Sequence, residues 1–383
     1  MKVLHLLRKQ AQLNSTFIRN QIIAGMQSQC MVAFYERSIE FSDMKLKSEN
    51  AEIEIVSLHT VNSVFNYCYY RMKRIIDPDA RRILYDIIDR YKPDIIHLHY
   101  GTDAGIFLPV LNTNKIPKFV SFYGYDAFSF PRRFMGLGKI YLQKRVFSNA
   151  TVILAMTDVM AEDLRKLGCE DSKIHIHYHG VPASLSSMKR SYLKDGTIQL
   201  LMLSYLDPVK GHGFVLRALK ILVDNGLQNF HLNIFGDGHY RRNIETDISN
   251  LNLAHFVTIH GKINYLSVEY YRAFELADIF LHPSITTRDD KEGVPGALVE
   301  AMFSALPSVA TFHGGIPCVI DNGQTGILVG ENDTQELASA IQMLMLDSKL
   351  RQLLGQKARC YALEYLDIKK RQMSLESFFA AFC

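Results

Sequence analysis

The chain has 383 residues, of which 48% are hydrophobic, 21% charged and 11% aromatic, with a formal net charge of +4. This length argues for two domains rather than a small stapled scaffold, and the composition excludes disordered and collagen-like classes. Uninterrupted apolar stretches such as Val152–Met156 fall far short of the roughly 20 residues that cross a bilayer.

Short apolar runs alternate with segments of helical periodicity, the pattern of βα units stacked around parallel sheets. In the first half, strands are expected near Val3–Leu7, Ile53–Leu58, Ile95–His99, Lys118–Phe122, Thr151–Ala155 and Ile174–His177. In the second half they are expected near Ile198–Leu203, His231–Phe235, Val257–His260, Ile279–His282, Ser308–Thr311 and Gly326–Val329. Several are continuous Val/Ile/Leu/Phe runs, as in strands covered on both faces. The Ser-rich segment Pro182–Thr197 reads as a linker. The expected fold is therefore α/β, with two Rossmann-like doubly wound domains at 1–185 and 186–367. A terminal helix at about 368–383 is a candidate to pack back on the first. Doubly wound sheets bind ligands at the carboxyl ends of their strands, so the expected site is a cleft between the two.

Residues 1–185 carry 24 Lys and Arg against 18 Asp and Glu, whereas residues 186–383 carry 19 against 21. The basic excess of the first half suits an anionic partner, either a phosphate-bearing acceptor or a membrane surface. Nucleic acid is not expected, since no recognisable nucleic-acid module is present. Six scattered cysteines without a C-x-x-C pair suggest neither a disulfide framework nor a zinc site. Charge returns at Arg8-Lys9, too early for a secretory leader, so a cytoplasmic location is expected.

The chemistry concentrates in Glu292-Gly293-Val294-Pro295-Gly296-Ala297-Leu298-Val299-Glu300. Pro295 suits a first helical position and Ala297–Met302 is a good helix former, so a helix begins here. Its free N–H groups and partial positive charge make an anion cradle, and Gly293 and Gly296 let a phosphate approach the backbone. Glu292 before the helix and Glu300 in its second turn can address one bound molecule from different heights. Taken alone, two glutamates at this spacing are more often a solvated loop acid and a helical ion pair.

The spacing is embedded in a longer pattern. Pro283-Ser284 precedes it, and Leu306–Thr311, Gly314-Gly315-Ile316-Pro317 and Asp321–Val329 follow. This stretch resembles the retaining GT-B glycosyltransferases of family 4, the group 1 class, with their E-G-x-P-x-x-x-x-E-A-M block. The resemblance extends to Lys210-Gly211 and to the Gly236–Arg241 turn, and to Lys92–His99, Phe122–Asp126 and His179–Val181 in the first half. Exopolysaccharide and colanic-acid assembly transferases look nearest. Three positions depart from the pattern. Ser204-Tyr205 stands for Gly-Arg, Tyr123 for a His, and Cys318 for the Glu after Gly-Gly-Ile-Pro.

The resemblance implies a metal-independent hexosyltransferase without cofactor. It would move a sugar from a UDP- or GDP-linked donor to a saccharide or polyprenyl-diphosphate-linked acceptor. Glu292 would hold the transferred sugar and Lys210 the diphosphate. Glu300 would hold the ribose, and Gly293, Val294, Gly296, Ala297, Gly236, Arg241 and Tyr205 would complete the donor site. Lys210 would act alone or with Arg241 or Arg288. Tyr123 and Asp126 are acceptor-side candidates, although Asp126 could equally cap the next segment. Asp289-Asp290, beside Arg288 and Lys291, reads as solvated rather than metal-binding. His97 and His99 are expected on opposite faces of their strand, which argues against a shared metal.

The aromatic and basic stretch Phe128–Phe134, with Lys139, Tyr141, Lys144 and Arg145, suits peripheral contact with an anionic membrane on its inner face. The alternatives are a non-catalytic nucleotide-sugar-binding subunit of the same fold, or a phosphorylase or epimerase. A nicotinamide enzyme is disfavoured, because Leu7-Arg8-Lys9-Gln10 stands where a Rossmann glycine fingerprint would follow the first strand.

Overall fold

The fold is described from a computed structural model, which covers residues 1–383 except 26, 37–45, 49–51, 60–63, 193–195 and 288–290 and the side chain of residue 134. The chain divides into two compact units, Met1–Gly180 with Ile368–Cys383, and Val181–Asp367.

The first unit runs β1 (Lys2–Lys9), α1 (Thr16–Ile23), β2 (Gln29–Glu36), β3 (Leu46–Lys47), β4 (Glu52–Ser57), α2 (Val64–Lys73), α3 (Pro78–Tyr91) and β5 (Ile95–His99). It continues through α4 (Gly101–Leu111), β6 (Lys118–Ser121), α5 (Leu137–Leu142), β7 (Val152–Ala155), α6 (Asp158–Lys166) and β8 (Ile174–Ile176). Its sheet has the order β3-β4-β2-β1-β5-β6-β7-β8, parallel except for the β3–β4 pair. The strand β2 is absent from the sequence expectation. Its buried run Met31-Val32-Ala33-Phe34-Tyr35 has a single β-branched residue, which weakens the strand signal although the segment sits beside β1 in the centre of the sheet.

The second unit runs β9 (Ile198–Leu203), α7 (His212–Asp224), β10 (Phe230–Phe235), α8 (Arg241–Asn250), β11 (Val257–Gly261), α9 (Val268–Leu276) and β12 (Ile279–His282). It continues through α10 (Gly296–Phe303), β13 (Ser308–Thr311), β14 (Ile327–Val329), α11 (Thr334–Leu346) and α12 (Ser348–Tyr361). The sheet is wholly parallel, in the order β11-β10-β9-β12-β13-β14. Strand order reverses between β9 and β12, and the loops after these strands build the site described below.

Segment 182–197, expected as a linker, is instead fastened to the second unit. Arg190 donates to the carbonyls of Ala277 at 2.5 Å, Phe274 at 2.7 Å and Ser304 at 3.2 Å, and Tyr192 donates to that of Ala305 at 2.7 Å. The polarity that looked linker-like supplies these bonds.

The last helix, α13 (Ile368–Ala380), belongs to the first unit. Leu375 and Phe379 join Val3, Ile95, Phe119, Val152 and Leu154 in one buried cluster. Glu376 accepts the backbone N–H of Gln27 at 3.1 Å and of Ser28 at 3.2 Å, which ties the helix to the turn before β2.

Candidate functional site

Three loops of the second unit, those after β9, β12 and β13, meet at Glu292, and the loop after β14 supports them through Glu331. After β9, the Asp207 side chain accepts the Val209 N–H at 3.1 Å and shapes a tight turn that ends at Gly211, with φ +71°. A Cβ at Gly211 would stand 2.0 Å from the Pro283 carbonyl oxygen, so only glycine lets this turn lie against the loop after β12. The Ile285 N–H donates to the Val209 carbonyl at 2.8 Å and closes the contact. Lys210, at the tip of the turn, thereby meets Glu292.

The Glu292 carboxylate is fully engaged. One oxygen accepts from the Lys210 ammonium, and the other from the Ser284 hydroxyl and from His282 Nε2 at 3.1 Å. Its backbone N–H donates to His313 Nε2 at 3.0 Å, and a Cβ at Gly314, with φ +54°, would stand 2.0 Å from its carbonyl oxygen. Because His313 Nε2 accepts, its Nδ1–H donates to Glu331 at 3.0 Å, and Glu331 also accepts the Thr286 N–H at 2.6 Å. Burial by itself pushes the Glu292 carboxyl up, but the Lys210 and His282 charges and hydrogen bonds overcome that and hold it well below the usual carboxylate range. Glu292 is thus an ionised, nearly buried acid whose position is fixed from every side.

Glu300 is a different kind of acid. It is buried on α10 and accepts from the Tyr270 hydroxyl, with Tyr265 as a further partner. Burial raises its carboxyl to about 7 against these hydrogen bonds. Pro295 is the cap residue rather than the first helical one, and α10 starts at Gly296. A Cβ at Gly296 would meet nothing within 4 Å, so the helix N-terminus at Gly296 and Ala297 opens onto free space. Gly293 and Val294 lie between this terminus and Glu292 in the chain.

A separate cavity of about 670 Å³ opens at the carboxyl ends of β9, β10 and β11, lined by Ser204, Tyr205, Gly236, Asp237, His239 and Lys262 among others. A Cβ at Gly236 would stand 1.8 Å from the Ser204 carbonyl oxygen, so glycine is required for β9 and β10 to end this close together. Arg241 is committed elsewhere: it donates to Glu245 at 2.8 Å, with Asp237 at 3.9 Å. Arg288, Asp289 and Asp290 lie outside the described residues.

In the first unit Asp126 is fully buried, and its carboxylate accepts the backbone N–H groups of Gly101 at 2.8 Å, Tyr123 at 3.0 Å and Gly124 at 3.1 Å. Burial lifts it to about 6 in spite of these bonds. Its oxygens clamp the turn after β6 onto the start of α4. The Tyr123 hydroxyl lies 2.6 Å from His99 Nδ1, and the Tyr123 ring packs 4.8 Å from Phe17 and 4.9 Å from Tyr100. His97 and His99 share one face of β5, contrary to the sequence expectation, with ring centroids 4.4 Å apart. Residues two apart on a strand point the same way, and only neighbours alternate.

The structure thus brings Lys210 and Glu292 together and sets Glu300, the cavity at Tyr205 and Gly236, and Arg241 in distinct places. Sequence reasoning cited Ser284 only as part of the surrounding pattern, with no role, and missed His282, His313 and Glu331. A strand ending in His-Pro-Ser, and a His directly before the Gly-Gly pair, were the signals that could have found them.

The family profile described as glycosyl transferases group 1 matches residues 186–360, and that of glycosyltransferase family 4 matches residues 41–185. Among curated sequences, the protein named "Putative colanic acid biosynthesis glycosyltransferase WcaL" of Salmonella typhimurium is 32% identical over 199 residues, 52% of this chain and 48% of that protein. The amylovoran biosynthesis glycosyltransferase AmsK of Erwinia amylovora is 31% identical over 258 residues, 66% of this chain and 62% of that protein. The chain therefore matches about half to two thirds of the length of these relatives. Among solved structures, Anabaena HepE in complex with UDP superposes with a TM-score of 0.79 at 16% identity, each chain covered in full. The lipopolysaccharide outer core galactosyltransferase WaaB superposes with a TM-score of 0.71 at 15% identity, again over the whole of both chains. These likenesses show the GT-B fold. No described helix is long and apolar enough to cross a membrane.

Proposed function

Because the chain belongs to the group 1 glycosyltransferases of family 4, we propose that it moves a hexose from a UDP- or GDP-linked donor to a hydroxyl of a growing, lipid-linked surface polysaccharide, with retention at the anomeric carbon. The observation that carries this is the Glu292 carboxylate, held ionised by Lys210, His282 and Ser284 in the loop that leads into α10.

Breaking the bond between the anomeric carbon and the diphosphate puts negative charge on the departing phosphate oxygens. Catalysis then rests on groups already aimed at that charge. Lys210 and the N–H groups at Gly296 and Ala297 supply it, one as a point charge and the others as a helix terminus. In this reading Lys210 gives up Glu292 for the diphosphate, and the freed carboxylate accepts from the sugar hydroxyls while His282 and Ser284 keep it in place. The leaving phosphate itself takes the acceptor proton on the same face, so no protein nucleophile is used. Glu300 holds the ribose. The Tyr205 and Gly236 cavity is the proposed seat of the nucleotide base, with Tyr205, 58% exposed, as a stacking surface.

Glu292→Gln and Lys210→Ala are each expected to cut transfer at least about tenfold in the folded protein, measured over a screen of UDP- and GDP-sugars. Near-wild-type turnover in either variant would reject the assignment. Nucleotide-induced thermal stabilisation without any transfer would favour the binding-subunit alternative.

Peripheral membrane contact is proposed for the first unit. Met135, Leu137 and Ile140 are exposed beside Arg132, Arg133 and Lys139, and α2 exposes Val64, Phe65, Tyr67 and Met72 beside Arg71 and Lys73. Arg145 joins the two segments by donating to the carbonyls of Lys73 at 2.9 Å and Arg74 at 3.2 Å. Apolar side chains set among cations suit an anionic leaflet. Flotation with vesicles containing anionic lipid should exceed that with neutral vesicles, and equal recovery would end the idea.

A further inference from the structure

The sheet of the first unit gathers three imidazoles for which the transfer chemistry has no use. His5 stands on β1 and is paired in register with His97 on β5, and His99 follows on the same face. All three are buried, and one nitrogen of each ring lies within 4.8 Å of one from each of the others. His5 Nδ1 and His99 Nε2 are 3.0 Å apart. The opposite nitrogen of His99 is tied to the Tyr123 hydroxyl at 2.6 Å, and His97 Nε2 to the Ser121 hydroxyl at 2.8 Å. This leaves His97 Nδ1 without a hydrogen-bond partner in the interior, a condition that is costly unless another group answers it.

We propose that His5, His97 and His99 form a binding site for a borderline transition-metal cation of the Zn(II) or Co(II) class, with Ser121 and Tyr123 orienting two of the three ligands. The ligand nitrogens are His5 Nδ1, His97 Nδ1 and His99 Nε2. Metal–nitrogen bonds of about 2.0–2.1 Å set tetrahedral nitrogen spacings of about 3.3 Å, close to the 3.0 Å already present between His5 and His99. The ring centroids lie 4.4, 5.2 and 5.3 Å apart, a separation that one cation bound to all three rings requires. A ligating imidazole normally has its second nitrogen hydrogen-bonded, which is the role Ser121 and Tyr123 play here. Imidazole-only ligation favours zinc, cobalt, nickel or copper over magnesium and calcium, which demand oxygen.

Burial also removes the competing proton: it pushes His5 down to about 3 and His97 and His99 well below their ordinary value. Ligation moves the proton of the His5–His99 contact to the opposite nitrogen of the ring that carries it, so three neutral imidazoles bind the cation without net proton release. The bound cation would cross-link β1 to β5 and stabilise the first unit, independently of donor chemistry in the second.

The test uses the full chain with any affinity tag removed, stripped with EDTA, desalted and titrated with zinc chloride and cobalt chloride alone. One equivalent should bind, with visible cobalt d–d bands and a rise in melting temperature. Ser121→Ala should weaken binding about tenfold or more, His97→Phe further still, and His239→Ala, at an exposed position, not at all. X-ray absorption of the zinc-loaded wild type should show three imidazole ligands, a readout that stands even if His97→Phe fails to fold. Absence of stoichiometric binding, binding unchanged in Ser121→Ala and His97→Phe, or absorption without imidazole scattering would overturn the proposal.

Discussion

The loops around Glu292 leave the carboxyl ends of parallel strands and the rings around His5 stand on parallel strands themselves, and the two handle charge in opposite ways. The first admits charge and compensates it, so that Glu292 stays ionised among Lys210, His282 and Ser284. The second excludes charge, and its histidines stay neutral because burial offers them no anion. One architecture can therefore support either a polar, charge-bearing surface or a buried aromatic one. What decides is whether backbone donors and counter-ions reach the strand ends or side chains from adjacent strands close over them.

The largest expected effect tests whether the dry region depends on the last helix. Phe379→Ala removes a fully buried ring packed 4.6 Å from Phe119 and 5.7 Å from His97. It should cost about 3–5 kcal/mol in denaturant unfolding of the first unit while leaving nucleotide affinity in the second unchanged. Equal loss in both units would break the comparison. Next comes acid. The unfolded chain takes up protons as pH falls through about 6.5, whereas folded His5 and His179 refuse them until about 3 and about 4. Each group's folded value is depressed, so its contribution is present above 6.5 and declines as pH falls through that window, by about 1.4 kcal/mol per pH unit per histidine. Calorimetry should find the first unit melting earlier than the second between pH 6 and 4, roughly the range these histidines set. The reverse order would show that the charged loops, not the neutral rings, are acid-labile.

The smallest effect concerns His313, whose Nε2 accepts the Glu292 N–H. His313→Gln can still present an acceptor near that point and should lose only about threefold in kcat, while His313→Phe should lose about tenfold or more, with donor KM little changed in both. Equal losses would reduce His313 to packing.

Much of this was legible in the sequence. The strand runs, the Lys210 turn and the Glu292 to Glu300 spacing all rest on local pattern, and local pattern survives folding. The strand β2 was not legible because Cys30, Met31 and Ala33 lack β-branched character. The relay from Glu331 through His313 to Glu292, and the meeting of His5 with His97, were hidden for a different reason. They are products of strand order and register, which set residues 18 to 92 positions apart side by side. The reversed assignment of His97 and His99 was an error of period, correctable from the sequence alone.

The chain leaves the first unit at Gly180 and re-enters it only at Ile368. During synthesis, then, an earlier portion waits for a later one: the face of Val3, Ile95 and Phe119 stays uncovered until Leu375 and Phe379 have been made and have cleared the ribosome. A nascent chain would be exposed to chaperones and proteases for that whole interval. For the same reason, a fragment ending at residue 180 is a poor surrogate for the unit it nominally represents, whereas 181–367 is contiguous and can be cut out whole.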